Sequence, residues 1–179
     1  MNVKFLNPFV EAAHEVLSIE MHETVQRGDL RLESGSYTTD DVTVIIALVG
    51  AVDGTAFFSM SKEAATQLSS VLIGEKLETL NRLAQSGIAE LGNVIVGRAS
   101  MKLSEAGYES NISTPSLILG KGATISTLDY PRLVVPLNTT AGSLVIHLAL
   151  KEGAQTGLKA PQIAIPKAFD ASKDTRYGS

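Results

Sequence analysis

The stretch VTVIIALVGAVDGTAFFSM, residues 42–60, holds two runs of apolar side chains that are rich in β-branched and aromatic residues. Runs of this composition favour strands, and their nearly continuous hydrophobicity is typical of strands that are mostly buried. Asp53-Gly54 lies near the middle and supplies the positive φ that a tight hairpin turn favours. The segment therefore predicts a β-hairpin with its turn at Asp53-Gly54.

Helical patterns flank this hairpin on both sides. Residues from about 5 to 21 predict an amphipathic helix, because apolar side chains recur there at helical spacing: Phe5, Phe9, Ala13, Val16 and Leu17. After the hairpin, Ser61 can cap a helix that runs to about Ile73 and stops at Gly74. The longest helical pattern runs from about Glu78 to Ala106, before Gly107.

Strand patterns return in the C-terminal half, in PSLILGKG (115–122), RLVVPL (132–137) and GSLVIHLAL (142–150), with a turn at 138–142. Pro131 and Pro136 predict an edge or a bulge for the RLVVPL strand, since proline cannot donate to a ladder. The sum is an α/β (α+β) fold, a mostly antiparallel sheet with long helices packed on one face. The composition shifts at Lys151, which predicts a domain over residues 1–150 and a tail over 151–179.

Composition excludes several classes of function. Apolar residues make up 44% and charged residues 19% of the 179 residues, the balance of one globular domain. The net charge of −4 provides no basic field for nucleic acid or an anionic membrane. The lack of cysteine excludes disulfides, thiolate metal sites and cysteine nucleophiles. Acidic residues come too early for a secretion signal, and no apolar run spans a bilayer, so we expect a cytoplasmic protein.

One face of the long helix carries an unusual row of side chains. Its core stripe is Ala84, Gly87, Ile88, Leu91 and Ile95, and the opposite row is Ser86, Glu90, Asn93, Gly97 and Ser100. Solvated helix faces usually carry long Lys, Glu and Arg side chains. Here one Glu and one Asn stand among small residues, which suits docking of another surface against two projecting polar groups.

Gly97 has two explanations at this point. Glycine inside a helix costs roughly 1 kcal/mol relative to alanine, so some other interaction must offset it. Either another molecule approaches the helix there, or a neighbouring element of the same chain does. The sequence alone leaves both open.

Other chemistry-bearing residues favour structural roles. Glu11, His14, Glu15 and His22 share a face of the first helix, but the two histidines lie two turns apart and are too distant for one ion. We therefore predict a solvated face and no metal site. His147 lies opposite the apolar side of its strand and is predicted to be a packing or surface residue. The GKG at 120–122 is not a P-loop.

The row on the long helix resembles the active-site signature of the CheC, CheX and FliY phosphatases. The resemblance comprises Ser86-x3-Glu90-x2-Asn93 with Pro115 in TPSLILGKG (114–122) downstream. NVKFLNPFVEAAHEVL (2–17), KLSEAGYE (102–109) and VPL (135–137) are similar to CheX proteins, in collinear order over about residues 1–151. An isolated E-x-x-N has little value, and the surrounding similarity gives the motif its weight.

The resemblance implies a phosphatase for the phosphoaspartate of a CheY-type receiver domain. Asn93 would orient the attacking water and Glu90 would pair with the receiver's lysine, while Ser86, Gly97 and Ser100 would form the docking surface. The partner would supply Mg²⁺, and the chain itself would bind no cofactor. CheX relatives are dimers, and the apolar segments RLVVPL and GSLVIHLAL, taken as edge strands, predict a homodimer. The alternative is an adaptor that docks a receiver or a motor component without hydrolysis, although such a protein has no need of the Asn93 carboxamide.

Overall fold

The computed structural model describes residues 3–127 and 130–153, which form three helices and ten strands. The elements in chain order are α1 Val3–Met21, β1 Gln26–Arg27, β2 Arg31–Glu33, β3 Tyr37–Thr38, β4 Val42–Gly50, β5 Val52–Met60, α2 Lys62–Ile73, α3 Arg82–Glu105, β6 Ser110–Ile112, β7 Ser116–Leu119, β8 Thr124–Ile125, β9 Arg132–Thr139 and β10 Gly142–Glu152. The prediction of an α+β fold is confirmed.

The strands pair antiparallel, and the main sheet has the order β1-β9-β10-β5-β4-β6. The short strands β2 and β7 add to β9 and β4, and β3 pairs with β8 as a separate ribbon. In the predicted hairpin, β4 and β5 pair from Val42 opposite Met60 to Leu48 opposite Gly54. The hairpin thus supplies two of the central strands.

The predicted hairpin turn at Asp53-Gly54 is wrong. The chain reverses at Ala51, and both residues lie inside β5, where Gly54 pairs with Leu48 on one side and Leu150 on the other. Gly54 has a φ of +143°, and a Cβ added there would overlap the carbonyl oxygen of Ala149. Glycine is therefore required by the close approach of β10 and not by a turn.

The core lies between the sheet and the three helices. Alternate side chains of β4, β5 and β10 point toward the helices and are buried, among them Val44, Phe58 and Ile146. The inward residues predicted for α1 are also buried, which confirms its apolar stripe: Phe5, Phe9, Ala13, Val16 and Leu17. The helices therefore cover one face of the sheet.

Local sequence signals place α2 correctly and α3 approximately. Ser61 Oγ accepts a hydrogen bond from the Ala64 N–H at 3.1 Å, and Gly74 ends α2 in the left-handed conformation. The long helix begins at Arg82, later than predicted, because Asn81 is its N-cap and accepts from the Ala84 N–H at 2.9 Å.

Neither RLVVPL nor GSLVIHLAL is an edge strand. β10 lies between β5 and β9, and β9 has β10 on one side and the short strands β1 and β2 on the other. Pro136 is tolerated because it faces the gap between β1 and β2, where its carbonyl accepts from the Gly28 N–H at 2.9 Å. The argument that a dimer forms through these two strands is therefore wrong. The homodimer itself stays a prediction.

The proposed boundary at 150 falls inside β10. Lys151 and Glu152 continue this strand and pair with Asp53 and Val52 of β5. Residues 154–179, which make up most of the predicted tail, lie outside the described residues.

His147 is a packing residue, as predicted, on the sheet face opposite the helices. It is 7% exposed, its Nδ1 lies 3.1 Å from Nη1 of Arg132, and its ring centroid lies 4.5 Å from that of Tyr37. Burial, and then the charges of Arg132 and Arg31, lower the pKa of His147 from 6.5 to about 4. The imidazole is therefore neutral near pH 7.

Candidate active site

Helix α3 is held against the sheet by its small residues as well as by its large ones. A Cβ added at Gly92 would lie 3.2 Å from Cγ1 of Val44 and 3.4 Å from Cδ2 of Phe58. Ile88, Ile95 and neighbouring apolar side chains are buried on the same side. Our sequence reasoning missed Gly92, whose contacts come from strands distant in the chain. The side of α3 opposite these contacts faces outward.

The predicted row lies on this outward side. Ser86 and Glu90 are exposed, and Asn93, Gly97 and Ser100 are partly exposed. Within residues 3–127 and 130–153, the side chains of Glu90 and Asn93 have no hydrogen-bond or ion-pair partner. The structure therefore brings the two polar groups together, one turn apart, with both available to another molecule.

Ser100 has a role within the chain. Its Oγ donates a hydrogen bond to the backbone carbonyl of Ser110 at 3.1 Å and ties α3 to the start of β6. Pro115 of the motif directly precedes β7, the strand that pairs with β4 at the edge of the sheet. Ser100 thus fixes α3 beside the β6–β7 segment.

Gly97 faces open space. No heavy atom lies within 4 Å of an added Cβ there, once the helix's own nearby backbone is set aside. The described part of the chain therefore gives no packing reason for this glycine. Of the two explanations, close approach of an element of the same chain is wrong for the described residues, and clearance for another molecule remains.

Ion pairs join helix α1 to α3 on the flank of α3 beside the row. Glu15 contacts Arg98 Nε at 2.8 Å and Lys102 Nζ at 2.9 Å, and Glu11 contacts Lys102 Nζ at 3.4 Å. The hydrogen bond from Lys102, followed by that from Arg98, lowers the pKa of Glu15. These carboxylates serve as partners for cations on α3. In the described ranges no cluster of three or more histidine, aspartate or glutamate side chains could hold a metal ion.

Exposed apolar side chains accompany the polar row. Leu83, Val94 and Met101 are 48%, 42% and 66% exposed on α3. At 100° per residue they lie on the same outward face as Glu90 and Gly97. Our sequence reasoning missed them, although their spacing was a usable signal. Exposed apolar side chains grouped beside polar groups suit contact with another protein surface.

The antiparallel sheet with three helices on one of its faces is the architecture of CheC- and CheX-like proteins. The chain belongs to the CheX family, because the family model described as chemotaxis phosphatase CheX matches residues 42–138. The predicted resemblance to this family is therefore confirmed. Among the described helices, none is long and apolar enough to cross a membrane.

Named relatives agree with this assignment. The CheY-P phosphatase CheX of Thermotoga maritima is 24% identical over 155 residues, which cover 86% of this chain and 99% of the relative. The structure of a CheC-like superfamily protein from Shewanella sp. PV-4 matches with a TM-score of 0.75 and 27% identity, over 84% of this chain and 99% of that one. The CheX–CheY–BeF3–Mg²⁺ complex from Borrelia burgdorferi contains a chain that matches with a TM-score of 0.71 and 27% identity, over 83% and 98%.

Proposed function

We propose that this chain is a phosphatase that removes phosphate from the phosphoaspartate of a CheY-type receiver domain, in chemotaxis or a related two-component pathway. The observation that carries the proposal is the pair Glu90 and Asn93, which project from one outward face of α3 without partners in the described chain. Membership of the CheX family and the relatives that act on or bind CheY support the same activity.

Asn93 would act on the attacking water. Phosphoryl transfer depends on alignment and electrostatic stabilisation more than on covalent chemistry by the protein. A carboxamide offers both an acceptor and donors on a short side chain, so it can hold a water in line with the phosphorus–oxygen bond that breaks. It is too weak a base to take the proton, so its contribution is orientation.

Glu90 would fix the register of docking. It lies one turn before Asn93 on the same face and is exposed, so a lysine of the receiver can reach its carboxylate. An ion pair formed there brings Asn93 to a defined place beside the phosphoryl group. The small residues Ser86 and Gly97 leave room for the receiver surface on either side.

The remaining parts of the proposal concern the assembly. The receiver would contribute Mg²⁺ and its own lysine, and this chain would contribute no cofactor of its own. The homodimer and the cytoplasmic location belong to the same proposal.

Phosphate release from a panel of phosphorylated receiver domains of the same organism tests the function. We expect at least one receiver to lose phosphate faster with this chain than alone, at substoichiometric amounts of the chain. If a phosphorylated receiver binds with no acceleration of phosphate release, the phosphatase proposal is wrong and the adaptor function replaces it.

A further inference from the structure

A cavity opens on the same side of the molecule as Glu90, where α1, α2 and α3 meet. Its volume is about 250 Å³. The walls are mainly aliphatic and come from all three helices: Val16, Leu72, Ile73, Leu91 and Val94. Glu90 and Glu20 add two exposed carboxylates to the lining. The site is therefore an apolar hollow with a negatively charged margin.

The dimensions and chemistry of the cavity restrict what it can hold. A cavity of about 150 Å³ is enough for benzene, so this one can take a leucine, methionine or phenylalanine side chain. The aliphatic walls favour an apolar group, because its transfer from water is the main gain available there. The two carboxylates disfavour an acidic neighbour and favour a basic one.

The cavity is continuous with the proposed docking face. Glu90 both lines the cavity and is the residue that would contact the receiver's lysine, and Val94 lies one turn further along α3. A receiver that reaches Glu90 therefore lies at the margin of the cavity. Leu83 and Met101 extend the exposed apolar surface along α3 in both directions.

We propose that this cavity receives an apolar side chain of the receiver, beside a basic residue of the same receiver, and so selects which receivers dock productively. The inference rests on the proposed phosphatase function and adds a determinant of partner choice to it. An apolar anchor in a pocket, next to a charged pair, is the arrangement that dominates binding energy in many interfaces. Asn93 would remain the residue that acts on the water, and the cavity would act on affinity alone.

Val94→Ala tests the inference against a matched control. Val94 is 42% exposed on α3, and Val71 is 43% exposed on α2 and does not line this cavity. Alanine has a higher helix propensity than valine, so neither change should disturb folding. KM and kcat are measured for phosphate release, and Kd is measured for the receiver loaded with BeF3 and Mg²⁺.

We expect Val94→Ala to raise KM and Kd about fivefold, since it removes apolar contact at the cavity, and to leave kcat unchanged. Val94→Trp, which would fill or cover the opening, should weaken binding further. Val71→Ala should behave as the unmodified protein.

Three results would overturn the inference. Equal Kd values for Val94→Ala and Val71→Ala, with an active unmodified protein, would leave the phosphatase function in place and remove the role of the cavity. A change of oligomeric state in Val94→Ala without a change of Kd would assign the cavity to a second copy of this chain. Absence of both binding and phosphate release in the unmodified protein would overturn the proposed function and this inference with it.

Discussion

Nζ of Lys102 lies 2.9 Å from Oε1 of Glu15, and this contact ties the C-terminal part of α3 to the middle of α1. Arg98 contacts the other carboxylate oxygen of Glu15 at 2.8 Å. The two helices are thus joined along one flank of α3 while its outward face stays uncovered. The hydrogen bond to Glu15 is the main cause that raises the pKa of Lys102. The candidate row is therefore presented on a helix that is fixed by the sheet beneath it and by α1 beside it.

Gly97→Ala should raise stability and impair docking. Because an added Cβ meets open space, the only intramolecular effect expected is the gain in helix propensity, about 1 kcal/mol in the free energy of unfolding. The same methyl group would intrude on a docked receiver and raise KM. Urea unfolding and phosphate release measure the two effects on one sample. A stabilised variant with unchanged KM would show that the receiver does not approach Gly97.

Glu90→Ala should weaken receiver binding as well as slow turnover. An exposed ion pair of this kind is worth up to about 1 kcal/mol, so KM should rise about fivefold, and by more if docking excludes water. Glu63→Ala, at an exposed position of α2 that does not line the cavity beside Glu90, is the control. Salt titration should reduce the difference between the two variants. If KM is the same for both variants at low salt, the proposed contact between Glu90 and a receiver lysine is absent.

His147 should make the fold sensitive to mild acid. The pKa of this residue is about 4 in the folded chain and near the ordinary 6.5 once unfolded, so the unfolded chain binds the proton first. The stabilising effect of the neutral imidazole is complete above pH 6.5 and is lost progressively as the pH falls to 4. The loss amounts to at most about 1.4 kcal/mol per pH unit.

Urea unfolding at a series of pH values checks this for the unmodified chain, His147→Gln and His14→Gln. His14 is exposed on α1 and serves as the control. Between pH 6.5 and 4, the unfolding free energy of His147→Gln should fall less steeply than that of the other two. Parallel curves for all three would mean that His147 titrates normally in the folded chain.

The homodimer prediction now depends on another edge of the sheet. β7 pairs with β4 on one side only among the described strands, carries no charged residue and leaves Leu119 51% exposed. Such an edge favours pairing with a second copy. Light scattering should give a dimer, and Leu119→Lys should shift it toward the monomer. A monomer at high micromolar concentration of the unmodified chain would refute the prediction.

Features that depend on residues close together in the chain could be predicted from the sequence. Features that depend on contacts between distant segments could not. Ser61 and Gly74 correctly predict the two ends of α2, because capping depends on residues within one turn. The helical period alone placed Glu90 and Asn93 on one outward face. The turn predicted at Gly54 is wrong because the close approach of β10, almost a hundred residues later in the chain, determines the conformation of this glycine. The sequence around residue 54 contains no indication that the carbonyl group of Ala149 packs against Gly54.

The order of the strands and the cavity could not be predicted from the sequence, because both depend on segments that are distant in the chain. Pro136 suggests an edge or a bulge, but β1 and β2 pair with β9 on either side of it and leave a gap where proline fits. The cavity beside Glu90 takes its walls from three helices that are far apart in the chain. Helical spacing describes one helix at a time and cannot show such a junction.

The kcat of Asn93→Ala for phosphate release from a phosphorylated receiver is the most direct test of the central claim. Loss of a positioning contact can cost on the order of 100-fold in rate, so kcat should fall by about that factor while KM changes little. Asn7→Ala, an exposed asparagine of α1, should retain the unmodified rate. Unmodified activity in Asn93→Ala would contradict the proposed mechanism, because Asn93 is the group that it assigns to the attacking water.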